Sequence, residues 1–139
     1  MASGARRHTD RLRRLSGGGL DRELGKALFA GAQRIQVAAQ IGITTGAVSG
    51  KKHVASRPGE YPNQDTAVLG NNIETALRFE ADGPVAEVSS NAPYSAALEF
   101  GTSRMAARPF MAPSRDAERE NVSKLVIQAV EKLVKRSGR

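Results

Sequence analysis

The segment Tyr94-Ser95-Ala96-Ala97-Leu98-Glu99-Phe100-Gly101-Thr102-Ser103-Arg104-Met105-Ala106-Ala107-Arg108-Pro109-Phe110-Met111-Ala112-Pro113 restricts the fold more than any other stretch of this chain. Gly101 stops a short apolar run, and Pro109 bars a helix interior or a central strand from passing through it. The segment therefore reads as a rigid connector between a short helix and a last helix. Its aromatic and apolar side chains need something to dock on. Phe110 and Met111 have two readings: they cap the chain's own core, or they fill a pocket on an adjacent subunit as aromatic anchors do. Glu99, between Leu98 and Phe100, either receives Arg104 or Arg108 in a partly buried ion pair or lies exposed.

On either side of the connector the apolar pattern is regular. Leu20, Leu24, Leu28, Ile35 and Ala38 recur at helical spacing and predict a helix over about 20–41, stopped by Gly42. Gly25 and Gly31 weaken that helix by about 1 kcal/mol each relative to Ala. Either marks a position where another segment can approach closely. Residues 42–64 read as a long loop punctuated by Gly42, Gly46, Gly50, Pro58, Gly59 and Pro62, with Lys51-Lys52-His53 at its middle. Loops of that length are usually functional or disordered, so ordering on assembly is the expectation here. Asp65–Leu69 suits a turn or short helix. Ile73, Thr75, Leu77 and Phe79 alternate with Glu74, Ala76, Arg78 and Glu80, and Asp82-Gly83-Pro84 is a turn signal, so Val85–Ser90 reads as the returning strand of an antiparallel hairpin. Tyr94–Phe100 reads as a short helix with Tyr94, Ala97 and Leu98 inward. Ser114 is the candidate N-cap of a last helix over about 114–136, with an apolar stripe from Val122 to Leu133 and Lys132, Lys135 and Arg136 at its C-terminal end.

The 139 residues suit one modest core. Aromatics make up only 4% with no Trp, so that core rests on Leu, Ile, Val and Ala, and subunit contacts are a natural supplement. The absence of Cys excludes disulfides, thiolate metal sites and Cys nucleophiles. No apolar run reaches membrane-spanning length and the basic start lacks a signal peptide's apolar stretch, so the expectation is a soluble protein made and assembled inside a cell. The formal charge of +7 is uneven: residues 1–57 carry a net +8, residues 58–112 a net −4 and residues 113–139 a net +3. Such patches either pair between neighbouring subunits or are separate solvated surfaces. Arg6, Arg7, Arg11, Arg13 and Arg14 precede Ser16-Gly17-Gly18-Gly19, so residues 1–19 read as a flexible basic arm. These arginines, with Lys51 and Lys52, are the candidate contacts to DNA or an acidic surface. Leu12 and Leu15 are candidates to anchor a short turn.

Enzyme chemistry finds little support. His8 and His53 have no neighbouring ligands at metal spacing. No Gly-x-Ser-x-Gly nucleophile elbow occurs. Gly46-Ala47-Val48-Ser49-Gly50-Lys51-Lys52 fails as a phosphate loop, because Thr45 stands where the first glycine belongs and Lys52 where Ser or Thr should bind magnesium. No cofactor, metal or small molecule is expected.

Two blocks carry a family resemblance. The first is Arg57-Pro58-Gly59-Glu60-Tyr61-Pro62-Asn63-Gln64-Asp65-Thr66-Ala67-Val68-Leu69, running on to Ile73. The second is Tyr94, then Glu99-Phe100-Gly101-Thr102, then Met105-Ala106-Ala107-Arg108-Pro109-Phe110-Met111. Together, over about 57–113, they resemble the tail-completion or neck proteins of long-tailed siphophages, typified by the gene-ten product of a lambda-like coliphage. Ala67 stands where that family usually has Gly, and the arm before Leu20 lies outside the resemblance.

The resemblance implies a non-enzymatic virion protein at the head–tail interface, made in the bacterial host cytoplasm. It would form a homo-oligomeric ring of six copies through which genome DNA passes, between the connector or stopper protein and the tail terminator or tail tube. The alternatives are the tail-terminator role itself and, from a different class, a free basic nucleic-acid-binding protein. The expected fold is α+β. A small antiparallel sheet packs with a long N-terminal and a C-terminal helix in one domain over 20–139, with loops that order on assembly. Tyr94, Glu99, Phe100, Arg104, Met105, Arg108, Phe110 and Met111 are the candidate subunit or partner interface.

Overall fold

The structure is a computed structural model. It describes the backbone of residues 2–16 and 18–138, and the side chains of these except residues 2, 3, 14 and 15. The elements are α1 (Ala2–Ser16), α2 (Gly18–Thr44), a short 3₁₀ turn (Gly50–Lys52), α3 (Val68–Asn71), β1 (Ile73–Glu80), β2 (Gly83–Ser90), α4 (Ser95–Phe100) and α5 (Met111–Ser137). The fold is α+β, as the sequence predicts.

α2 is the hub. It packs along α5 on one side and under both strands on another. Its inward positions are Gly25, Ala32, Ala39 and Ile43, with Leu28 and Ile35 half-buried between them. Small residues dominate that face because neighbours come close. A side chain on Gly31 would meet Val122 Cγ1 of α5 at 2.9 Å, and one on Gly25 would meet Phe79 Cζ of β1 at 3.1 Å. Both glycines therefore mark close approaches. Gly42 does not end α2. The ring of Tyr61 lies where its side chain would be, and the helix runs on to Thr44.

β1 and β2 pair antiparallel from Ile73↔Ser90 to Glu80↔Gly83, so the turn proper is Ala81–Asp82, and Gly83 holds a φ of 125° that other residues avoid. The alternation holds from Ile73 (buried) through Thr75 and Leu77 (half-buried), with the charged positions exposed, but Phe79, expected on the inner face, is 61% exposed with only its ring edge near Gly25. Gln36 of α2 ties down the sheet by donating to Ile73 O at 2.8 Å and accepting from Thr75 Oγ1 at 2.6 Å. Ala39, Ile43, Leu69, Ile73, Ala92 and Phe110 form the buried core.

Three expectations need correction. Residues 2–16 are a helix rather than a flexible arm, and that helix touches α5 as well as α2. The Arg14 and Leu15 side chains lie outside the described residues, and Leu12 is half-exposed rather than an anchor. α2 takes residues 42–44 of the expected 42–64 loop, and the rest of it carries a 3₁₀ turn at Gly50–Lys52. Gly50 N donates to Asp65 Oδ1 at 2.7 Å, Asn63 Nδ2 to Val54 O at 3.0 Å, and Gln64 N to Ile43 O at 3.3 Å. α5 begins at Met111, and Ser114 lies in its first turn, where its hydroxyl donates to Phe110 O at 2.6 Å.

Candidate assembly surface

The connector owes its shape to Glu99. The glutamate stands at the end of α4, and Gly101 at φ 73° turns the chain back immediately after it. Its carboxylate then faces the first turn of α5, accepting from Phe110 N at 2.8 Å, Met111 N at 3.0 Å and Ala112 N at 2.9 Å. The N-terminal end of a helix has unpaired N–H groups and partial positive charge, so a carboxylate there satisfies both demands. Glu99 pairs with neither Arg104 nor Arg108. The cap of α5 is a side chain from another element, which no local capping pattern could reveal.

Arg108 turns away from Glu99. Its Nε donates to Ser56 O at 3.0 Å, its backbone N–H donates to Leu98 O at 2.6 Å, and Gly59 N donates to Ala107 O at 2.9 Å. The connector is thus stitched to the long loop. Tyr61 completes the junction, with its hydroxyl 3.0 Å from Ser114 Oγ. Thr102 and Met105 bridge each other, which makes residues 102–105 a tight exposed reversal carrying Arg104 outward.

These bonds sort the candidate interface residues. Phe110, 1% exposed, belongs to the chain's own core, the first of its two readings. Glu99 and Arg108 are used internally. Phe100, by contrast, is 82% exposed, and Tyr94 is turned outward rather than inward. Met105 and Met111 are half-buried. Phe100 and Met111 stand on the rim of an apolar groove of about 600 Å³. Leu28, Ala32 and Ile35 of α2 line it with Val88 of β2 and Val122 of α5. Leu28 and Ile35 are only half-buried because no further layer lies over them. Around the helix from this floor, Ala30, Val37, Ala38, Ile41 and Tyr61 line a second groove of about 620 Å³, with Val37 and Ile41 half-exposed. Sequence reading assigned neither groove, because both arise where elements fail to cover α2.

Among the described residues, two charged groups have shifted pKa values. Arg78 lies between Glu87 (2.9 Å) and Glu80 (3.4 Å), and the hydrogen bond with Glu87 leads in raising its pKa. Glu118, bonded by Asn121 Nδ2 at 2.9 Å and by Arg34 Nε at 2.8 Å, has its carboxyl pulled below the usual range, chiefly by the Asn121 bond. Lys51 and Lys52 sit beyond the C-terminal end of α2. The α1 arginines precede its N-terminal end, and α2 itself is about 39 Å long at 1.5 Å per residue. The structure therefore does not bring these two sets together. Among the described residues no cluster of His, Asp or Glu could hold a metal, and no helix is long and apolar enough to cross a membrane.

A model of the family described as "Bacteriophage HK97-gp10, putative tail-component" matches residues 6–101. The chain belongs to this HK97-gp10-like family. The family is one of structural tail components of phages, is not known as enzymatic, and implies a place in the virion. Its match begins inside α1, so the arginine helix belongs to the matched region, contrary to the expectation that it lay outside. It ends at Gly101, which leaves the rest of the connector and α5 beyond it. No curated protein and no solved structure matches the chain.

Proposed function

We propose that this protein is a neck or tail-completion subunit that closes into a ring at the head–tail interface. Six copies would match the six-fold symmetry of siphophage tails. The connector or stopper protein would lie on one side, the tail terminator or tube on the other, and DNA would pass through the lumen. It does no chemistry; its work is done by surfaces. The observation that carries the ring is the pair of separate apolar surfaces on α2. A closed ring needs two different patches per subunit that fit each other head to tail. One patch here carries Phe100 standing free on a groove rim; the other is the groove of Val37, Ile41 and Tyr61. Phe100 and Tyr94 of one copy entering that second groove of the next would repeat around a ring. Stable subunit contacts bury roughly 1,200–2,000 Å² in all, so the 102–105 reversal with Arg104 and Met105 would flank the two inserted rings.

Electron microscopy of intact particles with a labelled subunit is the test. Density from the label at the neck supports the reading, and a protein found only in infected cells and never in particles removes it. Phe100→Ala should leave the subunit folded but unable to join particles.

A further inference from the structure

The sequence puts a basic segment at each end of the chain, and the fold joins them. α1 touches α5. A side chain on Gly138, just past the end of α5, would lie 3.8 Å from the Arg11 guanidinium. The C-terminal end of a helix has free carbonyls and partial negative charge, so an arginine is favoured there. Arg7 and Arg11 share one side of α1, and Arg6 and Arg13 lie seven apart on another. Lys132, Lys135 and Arg136 occupy the last two turns of α5. All seven side chains are exposed. Against them stand Asp10, Asp21 and Glu131. Among the described residues none of the seven makes an ion pair.

We propose that this joint cationic end, built from α1 and the end of α5, binds the phosphate backbone of double-stranded DNA without reading its sequence. A second copy of this chain is a poor partner, because eight of its fourteen acids are engaged, among them Glu23 with Lys26, Glu60 with Arg57 N and Asp65 with Gly50 N. Glu80 and Glu87 hold Arg78, Glu99 caps α5, Glu118 holds Arg34, and Asp116 lies within 4 Å of Arg115 and Arg119. A duplex offers about one negative charge per 1.7 Å of axis, a density suited to seven unpaired cations on two helices. Single strands are bound through stacking on aromatic side chains as well as charge, and neither α1 nor the last turns of α5 has a Phe, Tyr or Trp, His8 being the one ring there. The proposal stands whether or not the chain closes into a ring, since it concerns the single subunit.

The test is fluorescence anisotropy with the full chain and a labelled random-sequence duplex at several salt concentrations. Each phosphate contact contributes about −0.9 to the slope of log K against log salt, so a slope of about −4 or steeper is expected. R6A/R7A/R13A and K132A/K135A/R136A should each weaken binding at least ~10-fold and flatten the slope by about 2–3, with circular dichroism unchanged. K51A/K52A, at the far end of α2, should change it little, and charge-preserving R6K/R7K/R13K should keep most of it. The proposal is overturned if K51A/K52A weakens binding as much as either triple variant, or if the α5 variant leaves the slope unchanged. It also fails if the labelled single strand binds more tightly than the duplex. Binding to polyglutamate with none to the duplex would point to an acidic protein surface and would equally overturn it.

Discussion

Three residues of the connector differ in what they hold. Glu99→Ala strips three backbone donors of their acceptor at the start of α5. Loss of a helix cap costs about 0.5–2 kcal/mol, and a charged cap with three bonds belongs at the upper end. Urea denaturation should show the unfolding free energy falling by that amount, with a correspondingly lower midpoint; an unchanged midpoint would mean that water replaces the carboxylate. Phe110→Ala should cost about 3–5 kcal/mol and unfold much of the isolated subunit, because the ring is core. Phe100→Ala should stay within about 0.5 kcal/mol of the parent in the same measurement, since the ring touches little of its own chain. The sequence located the connector but could not separate these two phenylalanines. Helical and strand periodicities tell inside from outside, and neither runs through residues 101–110. The Glu99 cap was hidden for a related reason: its partners lie 11 to 13 residues away, across a turn.

Among the elements, the hairpin and α5 were the most legible. Strict alternation from Ile73 to Phe79 and the stripe from Val122 to Leu133 are signals of large side chains at fixed spacing. α2 was found but rotated. Counting Leu and Ile places the inner face on Leu20, Leu24, Leu28, Ile35 and Ala38, all of which are half-buried, whereas the buried positions are Gly25, Gly31, Ala32, Ala39 and Ile43. A face that buries glycine and alanine is invisible to a count of bulky residues, yet it lets helices pack most closely. Gly31→Val tests this. The added side chain would overlap Val122 and should cost about 1–3 kcal/mol. Pairing it with Val122→Ala should recover a substantial part, seen as a coupling energy in a double-mutant cycle. Additive losses would mean that α2 and α5 do not meet there. α1 was missed because the glycines beyond Ser16 read as the end of order. Glycine at the first turn of α2 costs little, and α1 gains contacts with α5.

For the whole molecule, the seam between α2 and α5 sets how the fold meets acid. Glu118 sits on that seam, and its carboxyl titrates below the reference 4.5 because Asn121 and Arg34 hold the charged form. A carboxyl depressed in the folded state contributes stability that is complete above its unfolded value. That contribution is lost as pH falls from about 4.5 through the lower folded value. Denaturation midpoints should therefore drop over that window in the parent, and Glu118→Gln should flatten the drop while lowering the plateau at neutral pH. An identical acid limb in both proteins would mean that Glu118 does not couple the helices. At this scale the charge map was readable only as totals. That Arg34 holds Glu118, 84 residues on, and that α1 joins the end of α5 depend on contacts far apart in the chain, whereas Glu80, Glu87 and Asp116 are held by near neighbours in sequence.

The junction at Gly42 also has an optical consequence. The chain has no Trp and two Tyr, so its intrinsic emission comes from two phenols in different surroundings. Tyr61 is held against α2 with its hydroxyl on Ser114, while Tyr94 stands on the outer surface near the Phe100 rim. A Tyr94→Phe protein would emit from the loop junction alone, and its signal would follow undocking of the loop from Gly42. A Tyr61→Phe protein would emit from the outer surface alone and brighten or dim only when a neighbour arrives. The scarcity of aromatics that limits the core thus gives this protein two built-in, separable reporters, one of its folding and one of its assembly, with no added dye.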